Sequence, residues 1–367
     1  MNKIRVGSLF SGIGAFEFAL KRMNLSHEIV FACDNGERIV DYNCEKEFAY
    51  VKSLRNEKEK KDYVDSLYKK LTRRTNFVEN SYLANYKIKD DLFFQDIRLL
   101  DGRDFENKID ILVGGSPCQS FSSVGYQRGL EDARGTLFYD FARLVNETKP
   151  KVFIYENVRN LLKHDCGKTW QIIKGIFESL GYHYYYQILD AEDYGIPQKR
   201  RRLFVVGFKN EVNFNFPQKI DLQRSLKDFA IETNDFGSIS YGKNGELKFA
   251  NKPGLIDSKY YLSPKLYAYV MKGGTKSFYQ KPVINLEIGR PLLSTMGNRH
   301  RAGIDNYLSI DGNVRMLSER EALRLMGFTD DYKQVVSRAQ TYKQAGNSIV
   351  VDVLMAIIKE ILKTKSI

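Results

Sequence analysis

The sequence predicts an α/β protein built on a doubly wound parallel sheet, with a second and smaller domain. Through residue 208, short apolar runs bounded by turn residues alternate with stretches of helical periodicity, which is typical of parallel strands joined by helices. From Lys209 to about Asn313 the strand signals become ambiguous and glycine and asparagine turns increase. This change predicts a second domain that is mostly irregular or β.

The first predicted unit is a strand over residues 4–10, a turn with two glycines, and a helix over residues 15–23. Gly12 and Gly14 would let the polar groups of a ligand approach the backbone at the amino terminus of this helix. The third glycine of the dinucleotide-binding pattern is missing, so a tight turn without a ligand is an equal alternative.

Acidic side chains end the next two predicted strands. Asp34 follows the strand of residues 28–33, where nucleoside-binding sheets place an acid that accepts hydrogen bonds from ribose hydroxyls. A helix-capping role is the alternative for Asp34. Asp96 lies in the stretch 92–97 that resumes the sheet, and we expect its carboxylate to accept a hydrogen bond from the exocyclic amine of a bound nucleoside.

A single cysteine, Cys118, follows the strand predicted over residues 109–113, after a turn that contains two glycines and a proline. Open α/β sheets bind ligands at the carboxyl ends of their strands, so Cys118 is a candidate nucleophile. A small buried apolar side chain is the alternative, and for an isolated cysteine the more common one. The apolar run 152–155 ends in Glu156, which predicts an acid near the thiol.

Three consecutive arginines precede the strand predicted over residues 203–208. In an extended chain Arg200 and Arg202 lie on one side and Arg201 on the other. A solvated loop is the alternative, but the Pro-Gln dipeptide shortly before the arginines favours a position at the start of a buried strand.

Residues 45–91 form a charged, predominantly helical insertion in the predicted sheet domain. Apolar side chains recur at helical spacing between Tyr63 and Leu71, and we expect the outer face to be solvated. A contact of Arg73 and Arg74 with a nucleic-acid backbone is the alternative.

Two helices are predicted towards the end of the sequence. One covers residues 318–326 and begins with a capping box of Ser318 and Glu321. The other covers residues 349–362, and we expect the polar residues 344–348 to form a turn that opens it, a position suited to a carboxylate ligand.

The composition excludes several classes of protein. A total of 57 lysines and arginines against 45 acids gives a net charge of +12, which modestly favours a polyanionic partner. No apolar run is long enough to span a membrane, and the amino-terminal apolar stretch lacks the features of a signal peptide. The four cysteines and four histidines show no metal-ligand spacing, so we expect neither a metal nor disulfides, in a cytoplasmic protein.

Taken together, seven ordered blocks resemble one family, the DNA (cytosine-5) methyltransferases of bacterial restriction-modification systems. The blocks are Leu9-Phe10-Ser11-Gly12-Ile13-Gly14, Gln95-Asp96-Ile97, Ser116-Pro117-Cys118-Gln119, Asp132-Ala133-Arg134-Gly135-Thr136-Leu137-Phe138, Glu156-Asn157-Val158, Tyr194-Gly195-Ile196-Pro197-Gln198-Lys199-Arg200-Arg201-Arg202 and Gly346-Asn347-Ser348. Their joint order is far more specific than any one of them. The resemblance implies a Rossmann-like methyltransferase sheet with a smaller target-recognition domain.

The resemblance implies S-adenosylmethionine as the methyl donor. The residues that it assigns to cofactor binding are Phe10, Gly12, Ile13, Gly14, Asp34, Asp96, Ile97, Pro117, Leu137, Asn347 and Ser348. The chain departs from the family at two of the neighbouring positions, with Asp34 where glutamate is usual and Asn35 where a bulky side chain is often found.

The same resemblance implies catalytic roles. Cys118 would add to carbon 6 of cytosine, a protonated Glu156 would steady the ring, and Arg202 would contact the cytosine carbonyl with Arg200 beside it. The target base would be flipped out of double-stranded DNA. Ser123 and Arg128 would belong to a loop over the flipped base, and Thr295 to the segment that supports the target-recognition domain.

The predicted catalytic domain comprises residues 1–208 and 335–367, the target-recognition domain 209–313, and a hinge 314–334. We expect a monomer, with an independently acting restriction endonuclease as a possible associate. A tRNA methyltransferase of the same fold is one alternative, disfavoured by the large basic segment 209–313. An inert DNA-binding protein is another, disfavoured because Cys118, Glu156 and Arg202 occur together; a nicotinamide dehydrogenase is disfavoured by the missing third glycine.

Overall fold

A seven-stranded sheet with the order β3-β2-β1-β4-β5-β7-β6 forms the centre of the molecule. The computed structural model describes residues 3–117, 137–231, 238–250, 256–275, 278–279, 281–296, 303–310 and 312–367. The sheet strands are β1 Ile4–Leu9, β2 His27–Cys33, β3 Phe93–Phe94, β4 Ile111–Gly114, β5 Val152–Val158, β6 His183–Asp190 and β7 Arg201–Phe208. Six of these strands, all except β6, lie in the apolar runs predicted above.

The sheet is mixed, which corrects the prediction of an all-parallel sheet. Strands β3, β2, β1, β4 and β5 run parallel, but β7 is antiparallel to both β5 and β6. Only residues 191–200 join β6 to β7. A parallel crossover needs about a dozen residues or more, usually with a helix, so this short connection allows only a hairpin.

Helices cover the sheet and extend from it. They are α1 Ala15–Arg22, α2 Cys44–Ser53, α3 Glu57–Leu71, α4 Phe77–Asn85, α5 Leu137–Thr148, α6 Lys168–Ser179, α7 Pro264–Val270, α8 Glu319–Arg324, α9 Arg338–Asn347 and α10 Val351–Lys363. Three of them, α2 to α4, confirm the helical character of the insertion. The predicted capping box is present at α8, where Ser318 and Glu321 cap each other. None of the helices in the described ranges is long and apolar enough to cross a membrane.

The polar residues 344–348 do not form the predicted turn. Residues up to Asn347 complete α9, and α10 begins at Val351. Gly346 serves close packing here: a Cβ at this position would lie 2.3 Å from the backbone carbon of Leu293. The glycine therefore marks a contact between two chain segments, which a local pattern does not distinguish from a turn.

The described parts of 209–313 contain little regular structure, in agreement with the predicted mostly irregular or β character. They hold helix α7 and the short strands β8 Ser238–Tyr241, β9 Leu247–Ala250, β10 Gly274–Thr275, β11 Phe278–Tyr279 and β12 Tyr307–Ile310. The last of these pairs with β13 Asn313–Met316 in an antiparallel hairpin.

One buried arginine joins the first helix to the last. Arg22 is fully buried, and its guanidinium donates to both carboxylate oxygens of Asp352 at 2.9 Å and to the carbonyls of Gly327 and Gly245. Replacing Arg22 by methionine leaves a half-buried carboxylate and two carbonyls without their buried donor.

We expect Arg22→Met to lower the free energy of unfolding by about 3–5 kcal/mol, the usual effect of breaking a buried ion pair. Urea denaturation followed by circular dichroism measures this change. The control is Lys363→Met, which removes an exposed pair with Glu360 and should change stability by about 1 kcal/mol or less. Equal effects of the two substitutions would contradict the interpretation.

Candidate active site

The glycine loop after β1 has the conformation that close approach of a ligand requires. Gly12 and Gly14 have positive φ angles of 52° and 75°, and Phe10, half-buried, has a φ of 50°. The side chain of Ile13 is buried. The hydroxyl of Ser11, in the same loop, is buried and has no hydrogen-bond partner among the described residues.

Asp34 ties the glycine loop to the end of β2. Its Oδ2 accepts from the backbone N–H of Gly12 at 3.0 Å, and its Oδ1 accepts from that of Gly36 at 2.8 Å. Burial raises the pKa of this half-buried carboxyl. A carboxylate has about four acceptor positions, so two remain for hydroxyl groups of a ligand.

The carboxylate of Asp96, which we expected to accept from a nucleoside amine, already accepts several hydrogen bonds within the protein. Its Oδ1 accepts from the N–H and Nε of Arg98, both at 3.0 Å, and its Oδ2 accepts from Arg98 Nη2 at 2.7 Å, Tyr68 OH at 2.6 Å and the hydroxyl of Tyr42. Burial alone would raise the pKa of Asp96, but Arg98 outweighs it and holds that pKa below its usual value. Within the protein, this carboxylate is already saturated with donors.

The other predicted cofactor residues lie near these acids in the fold. Ile97 is buried, and its carbonyl accepts from Arg143 at 2.8 Å; Leu137 is the first residue of α5 and is half-buried. Asn347, at the end of α9, donates to Glu37 in the loop after Asp34 at 2.7 Å. The next residue, Ser348, is buried. The end of α9 therefore contacts the loop that follows β2.

Glu156 lies at the end of β5, against the segment that leads to the cysteine. A Cβ on Gly115 would lie 2.9 Å from both the carbonyl oxygen and Oε2 of Glu156. On the other side, Nε of Arg202 is 3.1 Å from Oε1 of Glu156. Burial raises the pKa of Glu156, and the charges of Arg202 and Arg200 only partly oppose it. The net effect on this carboxyl is a pKa above its usual value, a shift towards the protonated form.

A buried polar network fixes the start of the cysteine loop, and the sequence analysis missed its members. The amide of Asn157 donates to the carbonyl of Ser116 at 2.9 Å and to the hydroxyl of Tyr155 at 2.8 Å. The Ser116 and Tyr155 hydroxyls are 2.7 Å apart. The available signal was a polar amide directly after Glu156 in an otherwise apolar strand.

The chain passes through exposed Pro117 into a segment outside the described residues. Three predicted site residues fall in that segment: Cys118, Ser123 and Arg128. The predicted DNA-contacting Thr295 is described, and its side chain is exposed.

Arg200 and Arg202 differ in their surroundings, although both lie near Glu156. Arg200 is buried, and its Nη atoms donate to the carbonyls of Leu292, Gly346 and Ser348 at 2.7–2.9 Å. Burial lowers the pKa of Arg200 to about 9. These bonds join the end of the sheet to two distant segments, a structural role that the sequence analysis did not anticipate.

Gln198 was also missed, and it makes a similar connection. This fully buried side chain donates to the carbonyl of Leu325 at 2.7 Å and accepts from the N–H of Leu292 at 2.9 Å. Arg201 points away and pairs with Asp190 at 2.7 Å, as the alternation of an extended chain predicts.

The sheet order and the glycine loop define the class of protein: this is the Rossmann-like fold of S-adenosylmethionine-dependent methyltransferases. The fold is similar to that of the Dnmt2 methyltransferase of S. pombe, with a TM-score of 0.66 and 17% identity, over 98% of this chain and 99% of that one.

The sequence comparisons identify the family. A profile described as C-5 cytosine-specific DNA methylase matches residues 48–363. The type II methyltransferase M.HhaI of Haemophilus parahaemolyticus is 39% identical over 252 residues, covering 68% of this chain and 74% of that protein. M.SsoII of Shigella sonnei is 35% identical over 306 residues, covering 78% and 72%. The chain belongs to the C-5 cytosine-specific DNA methylases, and it is a DNA (cytosine-5) methyltransferase.

The close approach of Gly115 to Glu156 makes a testable prediction. A methyl group at Gly115 must displace the Glu156 carboxyl or the loop, so we expect Gly115→Ala to lower the methylation rate by about 100-fold, as misplacements of about 1 Å can. Incorporation of labelled methyl groups into DNA measures the rate.

The control for this experiment is Gly175→Ala. Gly175 lies in α6, and outside the backbone of this helix no atom of the described residues lies within 4 Å of the position that its Cβ would take. This substitution should leave activity unchanged and slightly stabilise the helix. Full activity of Gly115→Ala would mean that the Glu156 contact has no catalytic importance.

Proposed function

We propose that this enzyme methylates carbon 5 of a flipped cytosine within a specific duplex DNA sequence, through a covalent adduct of Cys118. The observation that carries the proposal is the position of Glu156. A half-buried acid with a raised pKa lies between Arg202 and the glycine that opens the cysteine loop. A thiol and an acid that act on one pyrimidine ring need this kind of juxtaposition.

The role of Cys118 follows from the weak nucleophilicity of cytosine carbon 5. Addition of the thiolate to carbon 6 breaks the aromatic system and converts carbon 5 into an enamine carbon that can attack an electrophile. After methylation, loss of the proton on carbon 5 restores the double bond and expels the thiolate. One difficult step is thereby divided into easier ones.

Glu156 and Arg202 would stabilise the charge that this addition places on the ring. A protonated Glu156 donates a hydrogen bond to ring nitrogen 3, and Arg202 contacts the cytosine carbonyl oxygen. Arg200 acts mainly by holding the surrounding backbone, since its Nη atoms are engaged with three carbonyls. Its Nε, buried and without a partner in the described structure, is a donor that it can offer to the base.

The residues near the glycine loop fit S-adenosylmethionine, which supplies an electrophilic methyl carbon when bound. The vacant acceptor positions of Asp34 suit the ribose hydroxyls, and the orphan Ser11 hydroxyl and the glycine turn suit polar groups of the amino-acid end. We assign the same site to Phe10, Ile13, Ile97, Pro117, Leu137, Asn347 and Ser348. A purine amine can reach Asp96 only by replacing one of its present donors, of which Tyr42 and Arg98 are half-buried.

The DNA-binding assignments rest on the family and on charge. We propose that residues 209–313 read the recognition sequence in the major groove, that residues 314–334 connect the two domains, and that Ser123, Arg128 and Thr295 contact DNA near the target. The relatives M.HhaI and M.SsoII are type II methyltransferases, and we assign this chain the same role in a restriction-modification system. Bisulfite sequencing of DNA from cells that express the protein would give the recognised sequence.

The covalent mechanism predicts a trapped complex with DNA that contains 5-fluorocytosine at the target position. Fluorine blocks loss of the group on carbon 5, so the adduct should survive denaturing electrophoresis. We expect Cys118→Ser to abolish both the adduct and methylation. The control is Cys166→Ser, because Cys166 is an exposed thiol far along the sequence, and this variant should behave as the native enzyme does. Adduct formation by Cys118→Ser would overturn the mechanism.

The raised pKa of Glu156 predicts the pH dependence. Because the acid must be protonated to donate, the rate should fall as the pH rises through this raised pKa. Ionisation of the Cys118 thiol has the opposite effect on the rate, because the thiolate is the form that attacks. Glu156→Gln keeps a donor that does not titrate, so its rate should be about 100-fold lower but without the alkaline fall. An unchanged alkaline limb in this variant would assign that limb to another group.

A further inference from the structure

The helical insertion of residues 45–91 contacts the cofactor-binding edge of the sheet at three places. We propose that it positions the cofactor site, with Tyr68 and Asn76 as positioning residues for Asp96 and Asp34. This proposal rests on the cofactor assignment above. It gives a role to the inner face of an insertion whose outer face was expected to be solvated, and three contacts support it.

The first contact is with the glycine loop. The hydroxyl of Tyr86, just after α4, donates to the carbonyl of Gly14 at 2.7 Å. Its ring fills the space beside that glycine, where a Cβ would lie 2.2 Å from a ring carbon. One helical turn earlier, the hydroxyl of Tyr82 donates to Glu17 in α1 at 2.8 Å, and both side chains are fully buried.

The second contact is with the end of β2. The amide of Asn76 donates to the backbone carbonyl of Asp34 at 2.8 Å and to the side chain of Gln95 at 2.9 Å. A Cβ on Gly36 would lie 2.3 Å from Oδ1 of Asn76, so the loop after Asp34 wraps closely around this side chain. Asn76 is buried, and it binds the backbone of Asp34, whose carboxyl accepts from the glycine loop.

The third contact is with the end of β3. The hydroxyl of Tyr68, on the buried face of α3, donates to Asp96 at 2.6 Å. The guanidinium of Arg38 stacks on the ring of Tyr68 at 4.7 Å and donates to Gln95, the same side chain that accepts from Asn76. Asp34 and Asp96 are therefore joined through one buried network that the insertion completes.

This arrangement predicts an effect on cofactor affinity and little effect on the chemical step. The segments that carry Asp34 and Asp96 are held in place before a ligand arrives, so binding does not have to order them. The groups assigned to chemistry lie at the ends of β4, β5 and β7, and the insertion makes none of the contacts described above for Gly115, Glu156 and Arg202.

The first experiment compares Asn76→Asp with Asn56→Asp. Both asparagines cap helices by accepting backbone N–H bonds, and aspartate keeps that capping. Only Asn76 also uses its amide as a donor to Asp34. We expect Asn76→Asp to weaken the binding of S-adenosylhomocysteine, measured by calorimetry, and to raise KM for the methyl donor, each by about ten-fold, with kcat within about two-fold of native. Asn56→Asp should change none of these.

The second experiment compares Tyr68→Phe with Tyr63→Phe. Tyr63 lies in the same helix, and in the described structure its hydroxyl donates to Glu47, which also belongs to the insertion. We expect weaker binding of S-adenosylhomocysteine for Tyr68→Phe alone. The removal of one hydroxyl is mild enough to leave a folded protein, which a thermal melt of each variant checks.

The outcomes separate this proposal from the assigned function. Native affinity in folded Asn76→Asp and Tyr68→Phe would overturn the positioning role, and so would a fall in kcat with unchanged affinity. A native enzyme that does not bind S-adenosylhomocysteine would instead overturn the cofactor assignment on which the proposal rests.

Discussion

The absence of a side chain at Gly115 is the constraint on which the arrangement of the proposed catalytic groups depends. Without a Cβ, the segment that leads out of β4 lies directly against the backbone and carboxyl of Glu156. Asn157 and Tyr155 then secure that segment through Ser116, so that one strand, β5, both carries the acid and fixes the loop next to it. The same close packing shields Glu156 from water, which is why its pKa is raised.

The position of Arg202 beside Glu156 depends on the direction of β7. Because β7 runs antiparallel to β5, Arg202 at its beginning is paired with Val158 at the end of β5, beside Glu156. In a parallel arrangement the beginning of β7 would lie at the opposite edge of the sheet. The hairpin that reverses the chain also carries Gln198 and Arg200, which bind carbonyls of segments far away in the sequence. This short connection therefore places Arg202 beside Glu156, and it also carries the two side chains that bind the surrounding segments.

Features that depend on neighbours in the sequence were predictable, and features that depend on distant partners were not. The strands, the glycine turn and the Ser318 capping box follow from local patterns, and the order of the blocks was sufficient to identify the family. The saturation of Asp96 was not predictable, because two of its donors are tyrosines from the insertion and the loop before it. For the same reason the burial of Arg200 could not be foreseen: its acceptors lie 92 to 148 residues away.

The link between Arg22 and Asp352 spans 330 residues, and the one between Asn347 and Glu37 spans 310. During synthesis, the first βαβ unit therefore leaves the ribosome long before the helices that complete its packing. Contacts of such long range make folding slow, because the chain must close large loops before it gains their energy. Because α9 and α10 are synthesised 310 to 330 residues after their partners Glu37 and Arg22, these contacts form only once translation has passed those helices.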